Sequence, residues 1–240
     1  MVNQNREIIN QLIDQYTSKI KNIPKSEIEQ LRIRYLKDQR NYDVIAKEIT
    51  NIGEKILLIE KQINVKIDSN ILSKSIMLIG PMGSGKSTIS YRLQEKLNMP
   101  HISLDNKDKL SIYYKKEREF NNFKDFEFYL TSSVLTNLQE PTIIDFGAGH
   151  SIYENKAMFL EIKNLISRFE NVILLMPSKD KEESLVILNK RKGIEEDSHK
   201  YRDNKHFVNM PCNYELATLT IYTKDKTPNQ IVDEIIAKVN

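Results

Sequence analysis

The stretch that most constrains this chain runs from Ile76 to Ser90 and reads "IMLIGPMGSGKSTIS". Four apolar residues lead into Gly80, which predicts a buried strand that ends at a glycine. The spacing Gly80-x-x-x-x-Gly85-Lys86-Ser87 follows, and apolar residues at helical spacing come after it. A strand, a glycine loop and a helix form the context in which this spacing predicts a phosphate-binding loop rather than a chance glycine-rich turn.

Each residue type in this loop has a physical purpose. Glycines let the backbone turn so that successive N–H groups point inward, and the following helix adds the positive end of its dipole. Lys86 can reach the outer phosphates, and the Ser87 hydroxyl can ligate Mg²⁺. We therefore predict that the chain binds a nucleoside triphosphate, with ATP and Mg²⁺ as cofactors. The residues expected to contact it are Gly80, Met82, Gly83, Ser84, Gly85, Lys86, Ser87 and Thr88.

The chain of 240 residues divides into two kinds of pattern. Residues 1–66 carry apolar side chains at helical spacing, such as Ile9, Ile13, Tyr16 and Ile20, and they predict an all-helical N-terminal module. Residues 67–74 are expected to be a linker. From residue 75 to 240, five strand-like runs alternate with helical patterns, which predicts an α/β domain with a parallel sheet and helices on both faces. These runs are "SIMLI", "PHISLD", "TIIDF", "NVILLM" and "TLTIYT".

Composition narrows the function classes. No run approaches the roughly 20 apolar residues of a membrane span, and the polar N-terminus lacks the apolar centre of a signal peptide. We therefore expect a cytoplasmic protein with no membrane partner. The single cysteine, Cys212, excludes an internal disulfide and a Cys-based zinc site, and it is expected to be a small buried residue.

Charge gives little support for a nucleic-acid partner. The net charge of +3 lies in residues 1–74, which hold 13 Lys and Arg against 10 Asp and Glu. Part of this region is similar to a helix-turn-helix, but its turn glycine, Gly53, falls late and no basic recognition helix follows. A packing module, or one that forms a homo-oligomer through the N-terminal helices, is the favoured interpretation.

Two aspartates follow predicted strands at the edge where parallel sheets bind ligands. Asp145 ends an apolar strand, which suits a water-mediated role at Mg²⁺, and Asp105 ends a neighbouring strand, where it could accept the proton of an attacking hydroxyl. With Ser87, both are candidate metal ligands. The alternative for each aspartate is that it caps a helix.

The segment "FGAGHS" follows Asp145 directly. Gly147 and Gly149 allow the backbone to approach a ligand closely, and His150 could donate a hydrogen bond to an acceptor or a phosphate. A surface histidine, or one that caps a helix, is an equally good interpretation of His150. All three residues are candidate substrate-binding residues.

Two further segments have a functional and a structural interpretation. Residues 179–206 are rich in charged side chains and could form a mobile basic segment that closes over the γ-phosphate, with Arg191 as the candidate arginine. The alternative is that this segment is simply charged and exposed to solvent. Phe120, Phe123 and Phe126 recur at intervals of three, so they could form a stacking wall for a planar acceptor. Such a stripe is more often the core face of a helix.

The order of these motifs resembles the shikimate kinase family of P-loop kinases. "GPMGSGKST" resembles its phosphate loop, "SLD" its acidic second strand, "FGAG" its triple-glycine motif, and "MPCNYELATLTIYTKDKTPNQIVDEII" its closing segment, over about residues 75–239. The resemblance implies a P-loop kinase-type fold in which Lys86, Ser87 and Thr88 serve ATP and Mg²⁺, Asp105 the acceptor hydroxyl, and Arg191 the lid. Residues 223–226 would border the adenine.

The chain also departs from the family pattern. Lys107 stands where a second acidic residue is expected, and arginines expected to grip an acidic ring fall at Phe126 and at Asn209 or Met210. The sequence thus predicts an ATP- and Mg²⁺-dependent kinase that phosphorylates a hydroxyl of a small molecule other than shikimate, such as a nucleoside, nucleotide or sugar derivative. The alternative is a nucleotide- or ligand-sensing regulatory protein whose helical module binds a partner or DNA.

Overall fold

The computed structural model describes residues 2–17, 32, 45–47, 49–50, 67–120, 122–196 and 198–239. The chain forms two compact units, Met1–Val65 and Lys66–Asn240. Among the described residues, no helix is long and apolar enough to cross a membrane.

The first unit contains helix α1 (Val2–Thr17). Ile9 and Ile13 lie four residues apart on one face of α1, and both side chains are buried. This agrees with the helical pattern predicted for this part of the chain. The predicted positions of Ile20 and Gly53 lie outside the described residues.

The second unit is built on a five-stranded parallel sheet with the order β2-β3-β1-β4-β5. Each strand lies within one of the five runs predicted from the sequence, and the predicted α/β fold class is confirmed. The strands are β1 (Ile76–Ile79), β2 (His101–Ser103), β3 (Ile143–Asp145), β4 (Asn171–Met176) and β5 (Leu219–Tyr222).

Helices connect consecutive strands, as parallel pairing requires. The helices of this unit are α2 (Ser69–Lys74), α3 (Lys86–Leu97), α4 (Ser111–Tyr114), α5 (Phe123–Thr136), α6 (Lys156–Ile166), α7 (Lys181–Lys192), α8 (His199–Asn209), α9 (Cys212–Leu216) and α10 (Pro228–Ile236).

Alternation along the strands explains why both faces of the sheet are covered. Ile76 and Leu78 of β1 belong to a core cluster with Ile89 and Leu93 of α3 and with the apolar side of α10. Side chains of a strand alternate between the two faces, so Met77, between them in sequence, lies on the other face of the sheet. It is fully buried as well. A strand buried on both faces reads as a continuous apolar run, which is the pattern of "IMLI".

Residues 67–74, which we expected to be a linker, contain helix α2 and lie within the second unit. Asp68 accepts a hydrogen bond from the Asn70 N–H and caps this helix, and Ile71 is buried. The Asn171 side chain at the start of β4 donates to the Ser73 carbonyl at 2.6 Å. These contacts attach α2 to the amino end of the sheet.

The strand order decides where a ligand can bind. β1 lies at the centre of the sheet, with β3 and then β2 on one side and β4 and then β5 on the other, so the chain changes sides of β1 between β3 and β4. Open α/β sheets bind ligands in the crevice beyond the carboxyl ends of strands at such a point. The residues that follow β1, β2 and β3 therefore form the candidate site.

Candidate active site

The phosphate loop connects β1 to α3 and depends on glycine at Gly83. This residue has a φ of +81°, and a Cβ added to it would lie 2.7 Å from the Leu188 carbonyl oxygen and 3.1 Å from Cγ of Lys192. A side chain is disfavoured both by the backbone conformation and by the contact with α7. Glycine at this position therefore lets the last turn of α7 pack directly on the tip of the loop.

Lys86 is the first residue of α3, and its side chain folds back over the loop. Its Nζ donates to the carbonyl oxygens of Gly80 at 2.8 Å and Pro81 at 3.1 Å, and the residue is only 8% exposed. Burial lowers the pKa of Lys86, and the nearby carboxylates of Asp145 and Asp105 act in the opposite direction. The ammonium group is thus placed between the phosphate loop and the two candidate carboxylates.

Asp145 ends β3 directly beside Leu78 of β1 and is buried. Burial raises the pKa of Asp145, whereas the Lys86 charge and hydrogen bonding with the Ser87 and Ser103 hydroxyls lower it. The Asp145 carboxylate and the Ser87 hydroxyl therefore lie side by side. Oxygen donors of this kind suit Mg²⁺, so this pair fits the metal that the sequence predicts.

Asp105 follows β2, and its carboxylate lies against Gly147. A Cβ added to Gly147 would come within 2.1 Å of Asp105 Oδ1 and 2.6 Å of Cδ2 of His150. The Asp105 side chain is 71% exposed, so its carboxylate is open to a ligand from the other side. Partial withdrawal from water raises the pKa of Asp105, and the Lys86 charge opposes that shift. Because Gly147 has no side chain, it leaves room for the Asp105 carboxylate.

His150 is buried, so the interpretation as a surface histidine is wrong. Its Nδ1 lies 3.0 Å from Oγ1 of Thr131, and its Nε2 faces two carboxylates, 3.7 Å from Asp105 Oδ1 and 4.0 Å from Glu127 Oε1. Burial, with a contribution from the Lys124 charge, lowers the pKa of His150 to about 3. The imidazole is therefore neutral at pH 7 and acts as a hydrogen-bonding group.

Sequence reasoning missed two residues of this cluster, Lys124 and Glu127 in the first half of α5. Lys124 forms an ion pair with Glu127 and donates to the Gly149 carbonyl oxygen at 2.8 Å. Glu127 is buried, and a Cβ added to Gly149 would lie 2.5 Å from its Oε1. The signal available in the sequence was an opposite-charge pair three residues apart on a predicted helix.

Phe126 lies in the core and does not line the cleft. It is fully buried, and its ring centroid lies 5.0 Å from that of Tyr114, 5.8 Å from Phe120 and 6.0 Å from Phe123. Phe126 is therefore a core residue, as the core interpretation predicts, whereas Phe123 is 53% exposed. The assignment of Phe126 as a substrate-binding residue is corrected accordingly.

Arg191 and Lys192, at the end of α7, point to different places. Arg191 donates to Oγ1 of Thr223 at 3.0 Å and to the Thr223 carbonyl oxygen at 3.2 Å, which ties it to the turn after β5. Lys192 lies against Gly83, and its charge contributes to lowering the pKa of Lys86. The structure thus brings Lys192, rather than the predicted Arg191, to the phosphate loop.

This chain is similar to several known proteins. Residues 82–240 match the family model described as shikimate kinase. A shikimate kinase from Enterococcus faecalis is 31% identical over 183 residues, covering 69% of this chain and 98% of the relative. A shikimate kinase from Sulfurihydrogenibium sp. is 27% identical over 174 residues, covering 69% and 98%. A solved shikimate kinase from Acinetobacter baumannii in complex with shikimate gives a TM-score of 0.49 at 20% identity, over 70% of this chain and 95% of that chain.

The match to the family model spans more than half of the chain, and the sheet and phosphate loop are those of a P-loop kinase. The chain therefore belongs to the shikimate kinase family and is a small-molecule kinase of the P-loop type.

Proposed function

We propose that this protein transfers the γ-phosphoryl group of ATP to a hydroxyl group of a small molecule in a Mg²⁺-dependent reaction. The observation that carries the proposal is the convergence of Lys86, Asp145 and Asp105 on one edge of the sheet, with the charge of Lys86 acting on both carboxylates. Phosphoryl transfer needs a cation at the phosphates, a carboxylate near the metal and a group that orients the acceptor hydroxyl. These three residues supply one of each.

On the nucleotide side, the phosphate loop and the N-terminal end of α3 would hold the triphosphate. Lys86 would move from the Gly80 and Pro81 carbonyl oxygens to the phosphate oxygens. Lys192 would provide a second positive charge at the same loop, where positive charge stabilises the transferred group. Arg191, bound to Thr223, would lie beside the base rather than over the γ-phosphate.

Ser87 directly, and Asp145 through water, would hold Mg²⁺. When bound, the metal supplies positive charge that offsets the negative charge of the phosphates. The chain's own contribution is the buried Asp145 carboxylate, which Ser87 and Ser103 orient through hydrogen bonds.

On the acceptor side, Asp105 would accept the proton of the attacking hydroxyl. Its carboxylate is exposed toward the cleft, and the backbone at Gly147 supports it from behind. A general base of this kind works only when it lies within hydrogen-bonding distance of the proton that it takes. Family membership together with the retained Lys86, Asp105 and Asp145 favours this function over the sensor alternative.

The test is ATP turnover by the full chain with Mg²⁺, across nucleosides, nucleotides, sugars and hydroxy acids, with radiolabelled γ-phosphate followed into product. We expect transfer to one compound class and a loss of about 10²-fold or more in kcat for Lys86→Ala and for Asp105→Asn. Asp105→Asn should bind ATP as tightly as the wild type, since Asp105 contacts the acceptor. Tight ATP binding without transfer to any compound would refute the proposal.

A further inference from the structure

The phosphate loop is held by a buried side chain of α8. Asn204 is fully buried, and its Nδ2 donates to the Met82 carbonyl oxygen at 3.3 Å and to Oδ1 of Asn189 on α7 at 2.9 Å. A carbonyl oxygen can only accept a hydrogen bond, so the contact with Met82 fixes which way the Asn204 amide points. The orientation of the Asn189 amide follows from that of Asn204.

The contact between Asn204 and Met82 also sets the direction of the next backbone N–H. The peptide bond between Met82 and Gly83 is planar and trans, so its C=O and N–H point in opposite directions. Because the carbonyl is turned toward Asn204, the Gly83 N–H points away from α8. This N–H donates to no backbone acceptor among the described residues. It is therefore a free donor in a loop whose backbone N–H groups are expected to bind phosphate.

The two amides are a poor means of stabilising the fold. Asn189 Nδ2 and Asn204 Oδ1 are both buried, and neither has a hydrogen-bond partner within the part of the chain that the structure describes. A buried polar atom without a partner disfavours folding, and two apolar side chains of similar shape would avoid that cost. The donor that Asn204 presents to Met82 is therefore the better explanation for an amide at this position.

We propose that Asn204 is a positioning residue for the nucleotide: it holds the Met82–Gly83 peptide so that the Gly83 N–H faces the phosphates of ATP. This inference rests on the proposed function, since it concerns the nucleotide of the same reaction. Asn204 acts through the peptide and does not contact the nucleotide, and Asn189 holds the Asn204 amide in place. A loop whose donors are already oriented binds more tightly, because less freedom is lost on binding.

The test measures binding to the full chain in the presence of Mg²⁺, with probes that divide the nucleotide. Tripolyphosphate carries phosphates without a base, adenosine carries the base without phosphates, and ADP carries both. Calorimetry follows tripolyphosphate and ADP, and ligand-observed NMR follows adenosine. Asn204→Leu keeps the branched shape of the side chain and removes the donor. We expect it to bind tripolyphosphate and ADP about tenfold more weakly, as the loss of one hydrogen bond to a charged group predicts, and adenosine as the wild type does.

Further variants separate positioning from packing. Asn189→Leu/Asn204→Leu removes all the polar atoms of this pair, so we expect it to fold, with a thermal unfolding temperature close to or above that of the wild type, and still to bind tripolyphosphate weakly. Asn189→Leu alone leaves the contact between Asn204 and Met82 and should weaken binding less than Asn204→Leu. Asn164→Leu is the matched control, because Asn164 is an exposed asparagine within α6, and it should bind tripolyphosphate as the wild type does.

Tripolyphosphate binding of wild-type strength in the double variant, or equal weakening by Asn189→Leu and Asn204→Leu, would overturn the inference. Transfer assays keep it apart from the proposed function. Wild-type binding in Asn204→Leu would overturn the positioning role even if the wild type transfers phosphate to an acceptor. Weakened tripolyphosphate binding in Asn204→Leu, with no transfer by the wild type to any compound, would support the positioning role and refute the proposed kinase reaction.

Discussion

At the scale of single residues, the absence of a side chain at Gly147 is as important as the carboxylate beside it. Gly147→Ala would place a methyl group 2.1 Å from Asp105 Oδ1, so the carboxylate must move out of its position. A displacement of about 1 Å at a reacting group can cost 10²-fold in rate. We expect kcat to fall by about that factor while KM for ATP is unchanged, which steady-state kinetics would measure.

Gly149→Ala is the matched comparison for that substitution. Its added Cβ would meet Glu127 Oε1 at 2.5 Å rather than Asp105. We therefore expect Gly149→Ala to raise KM for the acceptor more than it lowers kcat. If the two variants gave the same kinetic defect, a distinct role for the Asp105 carboxylate would be refuted.

At the scale of elements, α7 and α8 hold the tip of the phosphate loop. The Leu188 carbonyl oxygen and Lys192 of α7 lie against Gly83. Asn204 of α8 is fully buried and donates to the Met82 carbonyl oxygen at 3.3 Å and to Asn189 Oδ1 at 2.9 Å. The loop is thus supported from the side opposite to the sheet.

Lys192→Gln tests this arrangement, because it removes the positive charge and retains most of the length of the side chain. We expect a kcat/KM for ATP about tenfold or more lower than that of the wild type, since a positive charge beside the phosphates of bound ATP would stabilise the transferred group. Lys190→Gln is the control: Lys190 is an exposed lysine on the same helix. Equal values of kcat/KM in the two variants would show that Lys192 has no special role at the phosphates.

Helices, strands and loops that are determined by residues adjacent in the chain were predictable from the sequence. The strand, loop and helix around Lys86 follow from adjacent residues, and the five apolar runs give all five strands. Lys124, Glu127 and Lys192 were missed because their roles depend on contacts between elements distant in sequence, such as Lys124 with Gly149. Phe126 was placed at the cleft by motif alignment, whereas packing of neighbouring rings places it in the core.

At the scale of the whole molecule, the second unit contains ionisable groups, partly or fully withdrawn from water, whose shifted pKa values have opposite effects on the pH dependence of stability. The pKa values of Asp105, Glu127 and Asp145 are raised, so their contributions favour the folded state at low pH and are lost as pH rises through the folded pKa. His150 has a pKa lowered from 6.5 to about 3, so its contribution is present above pH 6.5 and is lost as pH falls. The dependence of the free energy of unfolding on pH is therefore expected to be the sum of these opposing contributions.

Replacing His150 isolates the contribution of this one residue to the pH dependence of the free energy of unfolding. Below pH 6 the unfolded chain binds a proton at His150 that the folded chain does not, so the free energy of unfolding should fall by about 1.4 kcal/mol per pH unit from this residue alone. His150→Asn should lack that contribution, and the difference between variant and wild type should change steadily from pH 6 to pH 4. Since the chain has no tryptophan, urea unfolding would be followed by far-UV circular dichroism.

Because the chain forms two units, unfolding in urea can give two transitions. A ligand that binds the folded state stabilises the unit that binds it, so the transition that ATP shifts belongs to the unit with the phosphate loop. The pH dependence of His150 should be confined to that transition. Parallel stability profiles of wild type and His150→Asn would mean that His150 takes up a proton in the folded protein, and the neutral imidazole beside Asp105 would be refuted.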